Sequence, residues 1–82
     1  MGRYKIKFSK SATKQYLNLP LNYKQIVDNT LKKFQDRIPV DIKPIKSTEN
    51  CYRIRIGRYR ILLFKEDDNV IISEIDTRSN VY

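Results

Sequence analysis

The chain has 82 residues, with 17 Lys and Arg against 9 Asp and Glu, no histidine, and a net charge of +8. That length allows one domain, expected over residues 1–82, and only a thin core. No apolar run approaches the roughly 20 residues a membrane-spanning helix needs, and Met1-Gly2-Arg3-Tyr4-Lys5 passes directly into alternating charged and apolar residues, so no secretory leader is expected.

Residues 3–8 alternate strictly, Tyr4, Ile6 and Phe8 against Arg3, Lys5 and Lys7, the pattern of a half-buried strand. Ser9 and Ser11 are both placed to cap a following helix, in which Ala12, Tyr16 and Leu19 repeat at helical spacing. Pro20 ends it, because the residue before proline avoids the helical region. A second helix over 21–38 carries Tyr23, Ile26, Val27, Leu31, Phe34 and Ile38 in one stripe, and Pro39 stops it. The two helices are expected to form a hairpin lying on a sheet. Residues 40–50, with Pro44 and the polar run Lys46-Ser47-Thr48-Glu49-Asn50, have the character of a connector.

Three strands are predicted after it, over 51–56, 59–65 and 70–75. Gly57-Arg58 closes the first pair as a two-residue hairpin, and Asp67-Asp68-Asn69 turns the chain again. Val70 to Ile75 is rich in β-branched residues. Helices set apart from a run of hairpin strands predict an α+β fold: an N-terminal strand, a two-helix hairpin and a three-stranded antiparallel meander in one sheet, with helices on one face and the other open.

Charge is distributed unevenly along this order. Residues 1–20 hold five cations and no acid; residues 52–65 hold Arg53, Arg55, Arg58, Arg60 and Lys65 and no acid; residues 66–76 hold five acids and no cation. A chain this basic favours polyanionic partners: nucleic acid, an anionic membrane surface or an acidic protein. Arg53 and Arg55, two apart on a strand, project from one face about 7 Å from each other, and closing the hairpin lets Arg60 join them. A solvated face usually mixes signs, so the expectation is an anion site. Arginine suits that role because its planar fork matches phosphate. Tyr52 and Tyr59 fall with the core residues by alternation, whereas Tyr82 has no apolar run to explain it.

The absence of histidine excludes a two-histidine acid–base scheme. Glu66, Asp67 and Asp68 belong to a turn rather than a metal site, Cys51 is the only cysteine and forms no internal disulfide, and no cofactor is expected. Any phosphodiester cleavage would rest on positioning and on charge stabilisation by arginine, with the RNA 2′-OH as nucleophile. It would leave a 2′,3′-cyclic phosphate and a 5′-OH.

The element order, the segment from Cys51 to Phe64 with its Tyr-Arg-Ile-Arg-Ile-Gly-Arg-Tyr-Arg run, and the closing Thr77-Arg78-Ser79-Asn80-Val81-Tyr82 resemble the RelE/ParE toxin superfamily along essentially the whole chain. The resemblance implies the toxin half of a toxin–antitoxin pair in the cytoplasm. RelE-type members cut mRNA in the ribosomal A site; ParE-type members share the fold and inhibit DNA gyrase. The RelE-type pattern implies catalytic roles for Arg53, Arg55, Arg60, Arg78 and Tyr82. Lys43, Lys46, Arg58 and Lys65 are assigned to RNA binding, and the implied partners are a RelB-like antitoxin, the ribosome and mRNA. Arginine does not readily release a proton near neutral pH, so the arginines are expected to act by charge stabilisation.

Overall fold

The computed structural model describes residues 2–46 and 49–77. A short strand, β1 (Lys5–Phe8), leads into helices α1 (Lys10–Leu17) and α2 (Leu21–Gln35). Strands β2 (Ile42–Pro44), β3 (Cys51–Ile56), β4 (Tyr59–Glu66) and β5 (Asn69–Thr77) follow. They form one sheet in the order β1-β5-β4-β3-β2, with β1 parallel to β5 and the other neighbours antiparallel. Both helices cover one face, and the core between helices and sheet is built from Val27, Leu31 and Phe34 of α2, Ala12 of α1, and Ile54, Ile56, Ile61, Leu63, Val70, Ile72 and Ile75 of the strands. Among the described residues, no helix is long and apolar enough to cross a membrane.

Ser9 is the cap of α1: its Oγ accepts from the Ala12 N–H at 3.0 Å. The same hydroxyl donates to the Ser73 carbonyl at 3.0 Å, tying the start of the helix to β5. Tyr16 donates to Asp28 Oδ1 at 2.8 Å, which fastens α1 to α2. That hydrogen bond, with burial and the Asp28 charge adding to it, raises the Tyr16 hydroxyl above its ordinary 10.0. Below pH 10 the phenol is protonated in folded and unfolded chains alike, and the bond is intact. Above it the unfolded chain ionises first, so this contribution to stability is lost as pH climbs through the raised value. In an alkaline absorbance titration, one tyrosine should ionise late, and Asp28→Asn should return it to the others. A titration unchanged by Asp28→Asn would count against this coupling.

The fold departs from the sequence expectation at two places. First, α2 stops at Gln35 and does not continue to Ile38. Arg37 takes a left-handed φ of 63°; its N–H donates to the Phe34 carbonyl at 3.0 Å, and the Ile38 N–H donates to the Lys33 carbonyl at 2.8 Å. This pair of bonds is the Schellman end of a helix, usually built on glycine. Arginine is held there by tertiary contacts: Nε donates to the Gly2 carbonyl at 2.9 Å, Nη2 pairs with Asp68 at 2.6 Å, and the guanidinium lies 4.1 Å from the Tyr4 ring centre. Ile38 is therefore outside the helix and half exposed, and Ile26 is 41% exposed, so neither belongs to the buried stripe.

Second, residues 40–50 contain a strand. Ile42, Lys43 and Pro44 pair antiparallel with Ile54, Arg53 and Tyr52 of β3. Three residues, one of them proline, give almost no strand signal, and proline is tolerated because β2 is an edge.

Candidate functional site

Alternation along β3 buries Ile54 and Ile56 and turns Arg53 and Arg55 to the face without helices. On β4, Ile61 and Leu63 are buried, so Arg60 and Leu62 share that open face. The hairpin register sets Arg55 directly opposite Arg60, and Arg53 opposite Leu62. Gly57, at a left-handed φ of 54°, occupies the turn that fixes this register.

β2 extends the row outward, because Lys43 lies opposite Arg53. The result is an open groove of about 570 Å³ lined by Lys43, Pro44, Ile45, Lys46, Arg53, Arg60 and Leu62. Four of its seven lining residues are cations, a charge that suits an anionic ligand. Arg53 is half buried, and its Nε is shielded from solvent without a hydrogen-bond acceptor among the described residues. A buried donor of this kind is costly unless an acceptor reaches it, and a phosphate oxygen in the groove would supply one.

The remaining assigned residues are dispersed. Arg55 sits on the same face one row nearer the turn, its Nε 3.8 Å from Asp41 Oδ2. Arg58 is exposed at the turn itself. Lys65 points to the helix-covered side, its ammonium 5.5 Å from the Tyr4 ring centre, and so does not share the groove. Arg78 and Tyr82 lie outside the described residues.

The open face also carries acids, contrary to the expectation of a single sign. The register between β4 and β5 shifts between Leu62 and Leu63. Val70 and Ile72 are buried on the helix side, and unbroken alternation would send Glu74 and Asp76 there too. The extra residue reverses the pattern: Ile75 is buried, Glu74 pairs opposite Leu62, and Asp76 pairs opposite Arg60. Ser73 marks the irregularity, its Oγ donating to the Leu62 carbonyl at 3.1 Å. The adjacent apolar pair Ile71-Ile72 hides this shift, since either can head the buried set.

A family model described as the ParE toxin of type II toxin–antitoxin systems, parDE, matches residues 6–82. The chain belongs to this toxin family. Toxin RelE3 of Methanocaldococcus jannaschii is 29% identical over 83 residues, spanning 95% of this chain and 94% of the relative. Putative toxin RelE1 of the same organism is 32% identical over 72 residues, 72% of this chain and 80% of the relative. The toxin fold superposes on the RelB–RelE antitoxin–toxin complex from Methanococcus jannaschii with a TM-score of 0.80 at 28% identity, covering 92% of this chain and 93% of that one. The isolated E. coli RelE toxin gives the same TM-score at 17% identity over 90% of this chain and 83% of that one, a likeness of fold alone. The α+β, RelE-like architecture expected from the sequence is thus the one observed.

Proposed function

We propose that this toxin is a ribosome-dependent endoribonuclease of the RelE type, cutting mRNA in the A site. The observation that carries the reading is the open-face groove in which Arg53 and Arg60 meet Lys43 and Lys46. Two guanidiniums suit the oxygens of one phosphodiester, and the lysines suit the flanking phosphates. In the reaction, the 2′-hydroxyl gives its proton to solvent water as its oxygen attacks the adjacent phosphorus. The bond to the 5′-oxygen breaks, and that oxygen takes a proton from water. Arg60 and Arg53 stabilise the charge that grows on the phosphoryl oxygens. Arg55 and Arg58 add to the attraction for RNA, and Arg78 and Tyr82 are assigned to the same site by the family pattern.

The similarity to a RelE protein captured with RelB supports a second part of the proposal, a RelB-like antitoxin as partner. A net charge of +8 favours an acidic segment that folds as it wraps the toxin, with an on-rate that falls as salt rises.

The test is primer extension on mRNA translated by programmed ribosomes, run beside a DNA gyrase supercoiling assay, because the matching family model is that of ParE. Cuts at codons in the A site, with supercoiling unaffected, are the expected result. Inhibited supercoiling without cuts would overturn the ribonuclease reading in favour of a gyrase inhibitor.

A further inference from the structure

We infer that Asp76 is a positioning residue for Arg60, holding the guanidinium in line for the scissile phosphate. The inference rests on the ribonuclease reading and begins from the arginine pair. The Arg55 N–H donates to the Asp41 carbonyl at 3.0 Å, away from β4. Arg55 and Arg60 therefore face each other as a non-hydrogen-bonded pair, the arrangement in which side chains stand closest, with Cα atoms about 4.5 Å apart. Like charges directly opposite on a sheet repel, and both side chains are half buried, where water screens them less.

Each arginine has a carboxylate on its outer flank. Asp41 draws Arg55 toward β2, at 3.8 Å. Asp76 stands opposite Arg60 on β5. The row across the sheet is thus acid, arginine, arginine, acid, and it exists only because the register shift between Leu62 and Leu63 brings Asp76 to the open face. Asp76 is itself half buried, and its short side chain offers a carboxylate of limited freedom. Pairing one edge of the Arg60 fork with Asp76 leaves the other edge for a phosphate and turns the group away from Arg55. The carboxylate acts through Arg60 and does not touch the reacting atoms.

The experiment compares wild type, Asp76→Asn, Asp76→Glu, Arg60→Ala and the Arg60→Ala/Asp76→Asn double variant in single-turnover cleavage on programmed ribosomes. Glu66→Gln, at the far end of β4, serves as a control that makes the same change in net charge. A misplacement of about 1 Å can cost on the order of 10²-fold in rate, so Asp76→Asn should slow cleavage by roughly 10- to 100-fold with the half-saturating ribosome concentration unchanged. Asp76→Glu should recover part of the rate. The double variant should be no slower than Arg60→Ala. NMR of the arginine Nε–H groups in the free toxin supplies a readout independent of cleavage: rotation about the Arg60 guanidinium should be restricted in wild type and released in Asp76→Asn.

A folded Asp76→Asn protein that cuts at the wild-type rate, or that binds ribosomes more tightly and cuts faster, would overturn the inference, because Asp76 would then only dampen the positive field. An Arg60 signal unaltered by Asp76→Asn would do the same. A wild-type toxin that cuts no mRNA would instead remove the ribonuclease reading, and the NMR comparison would still decide whether Asp76 holds Arg60.

Discussion

Replacing Arg60 by alanine is expected to lower mRNA cleavage by about 10²–10³-fold, the cost of removing a comparable charge-stabilising donor elsewhere, while the toxin still folds and still binds ribosomes. Arg60 is the one cation of β4 that reaches the groove, with Arg53 beside it from β3 and Lys43 and Lys46 closing the outer wall. A single arginine heading an otherwise apolar strand can serve only to protect a sheet edge, but β4 is an interior strand flanked by β3 and β5, so edge protection does not account for it. The remaining cations, among them Lys43, Lys46, Arg53 and Arg58, are expected to supply enough electrostatic attraction for docking in the variant. Arg60→Lys should recover only part of the activity, since it keeps the charge and loses the fork. Cleavage on programmed ribosomes is the measurement, with circular dichroism and ribosome pelleting as controls. A folded Arg60→Ala toxin that cuts normally would shift the chemistry to Arg53, Arg55 or Tyr82.

The largest structural effect is expected from Phe34→Ala. Phe34 is 6% exposed, and its ring stacks on Tyr4 with centroids 4.7 Å apart. Tyr4 in turn carries the Arg37 guanidinium. Phe34 thus joins the end of α2 to the chain entering β1, and its loss leaves a cavity where the two meet. Truncating a buried phenylalanine costs about 3–5 kcal/mol. Domains hold roughly 5–15 kcal/mol in all, and one of this size sits toward the low end. The thermal midpoint should fall by about 12 °C or more, at 4–8 °C per kcal/mol for a domain of this length. Ile26→Lys makes a sharp comparison. It lies on the same helix and was expected in the same stripe, but it is 41% exposed, so its substitution should cost about 1 kcal/mol, well below the Phe34 truncation. Thermal denaturation of both variants checks the pair; equal effects would mean that α2 is rotated from its described orientation.

Local pattern was enough for much of the site. Strict alternation from Cys51 to Ile56 separates Ile54 and Ile56 from Arg53 and Arg55, because a strand has only two faces. The two-residue turn at Gly57-Arg58 then determines that Arg60 stands beside Arg55, since loop length sets hairpin register. The same reasoning found the helix hairpin and the core role of Val27, Leu31 and Phe34. These features rest on interactions within a few residues along the chain, which is the range over which periodicity carries information.

Other features were decided by contacts between distant segments. β2 forms because β3 offers it a partner, and only that pairing brings Lys43 into the groove. α2 ends at Gln35 because Gly2, Tyr4 and Asp68 stabilise Arg37 in a conformation that arginine seldom adopts alone. Lys65 faces away from the groove because Leu63 and Val70 place its side of β4 toward the helices. Asp76 reaches the arginine row through one extra residue in β5, and a single-residue slip sends every later side chain of a strand to the other face. Composition and alternation by themselves therefore determined which strands bear the arginines and which side of each is buried. The tertiary structure alone decided which cations share the groove and which carboxylates stand beside them, because the register between strands depends on pairing energies summed over segments far apart in the chain.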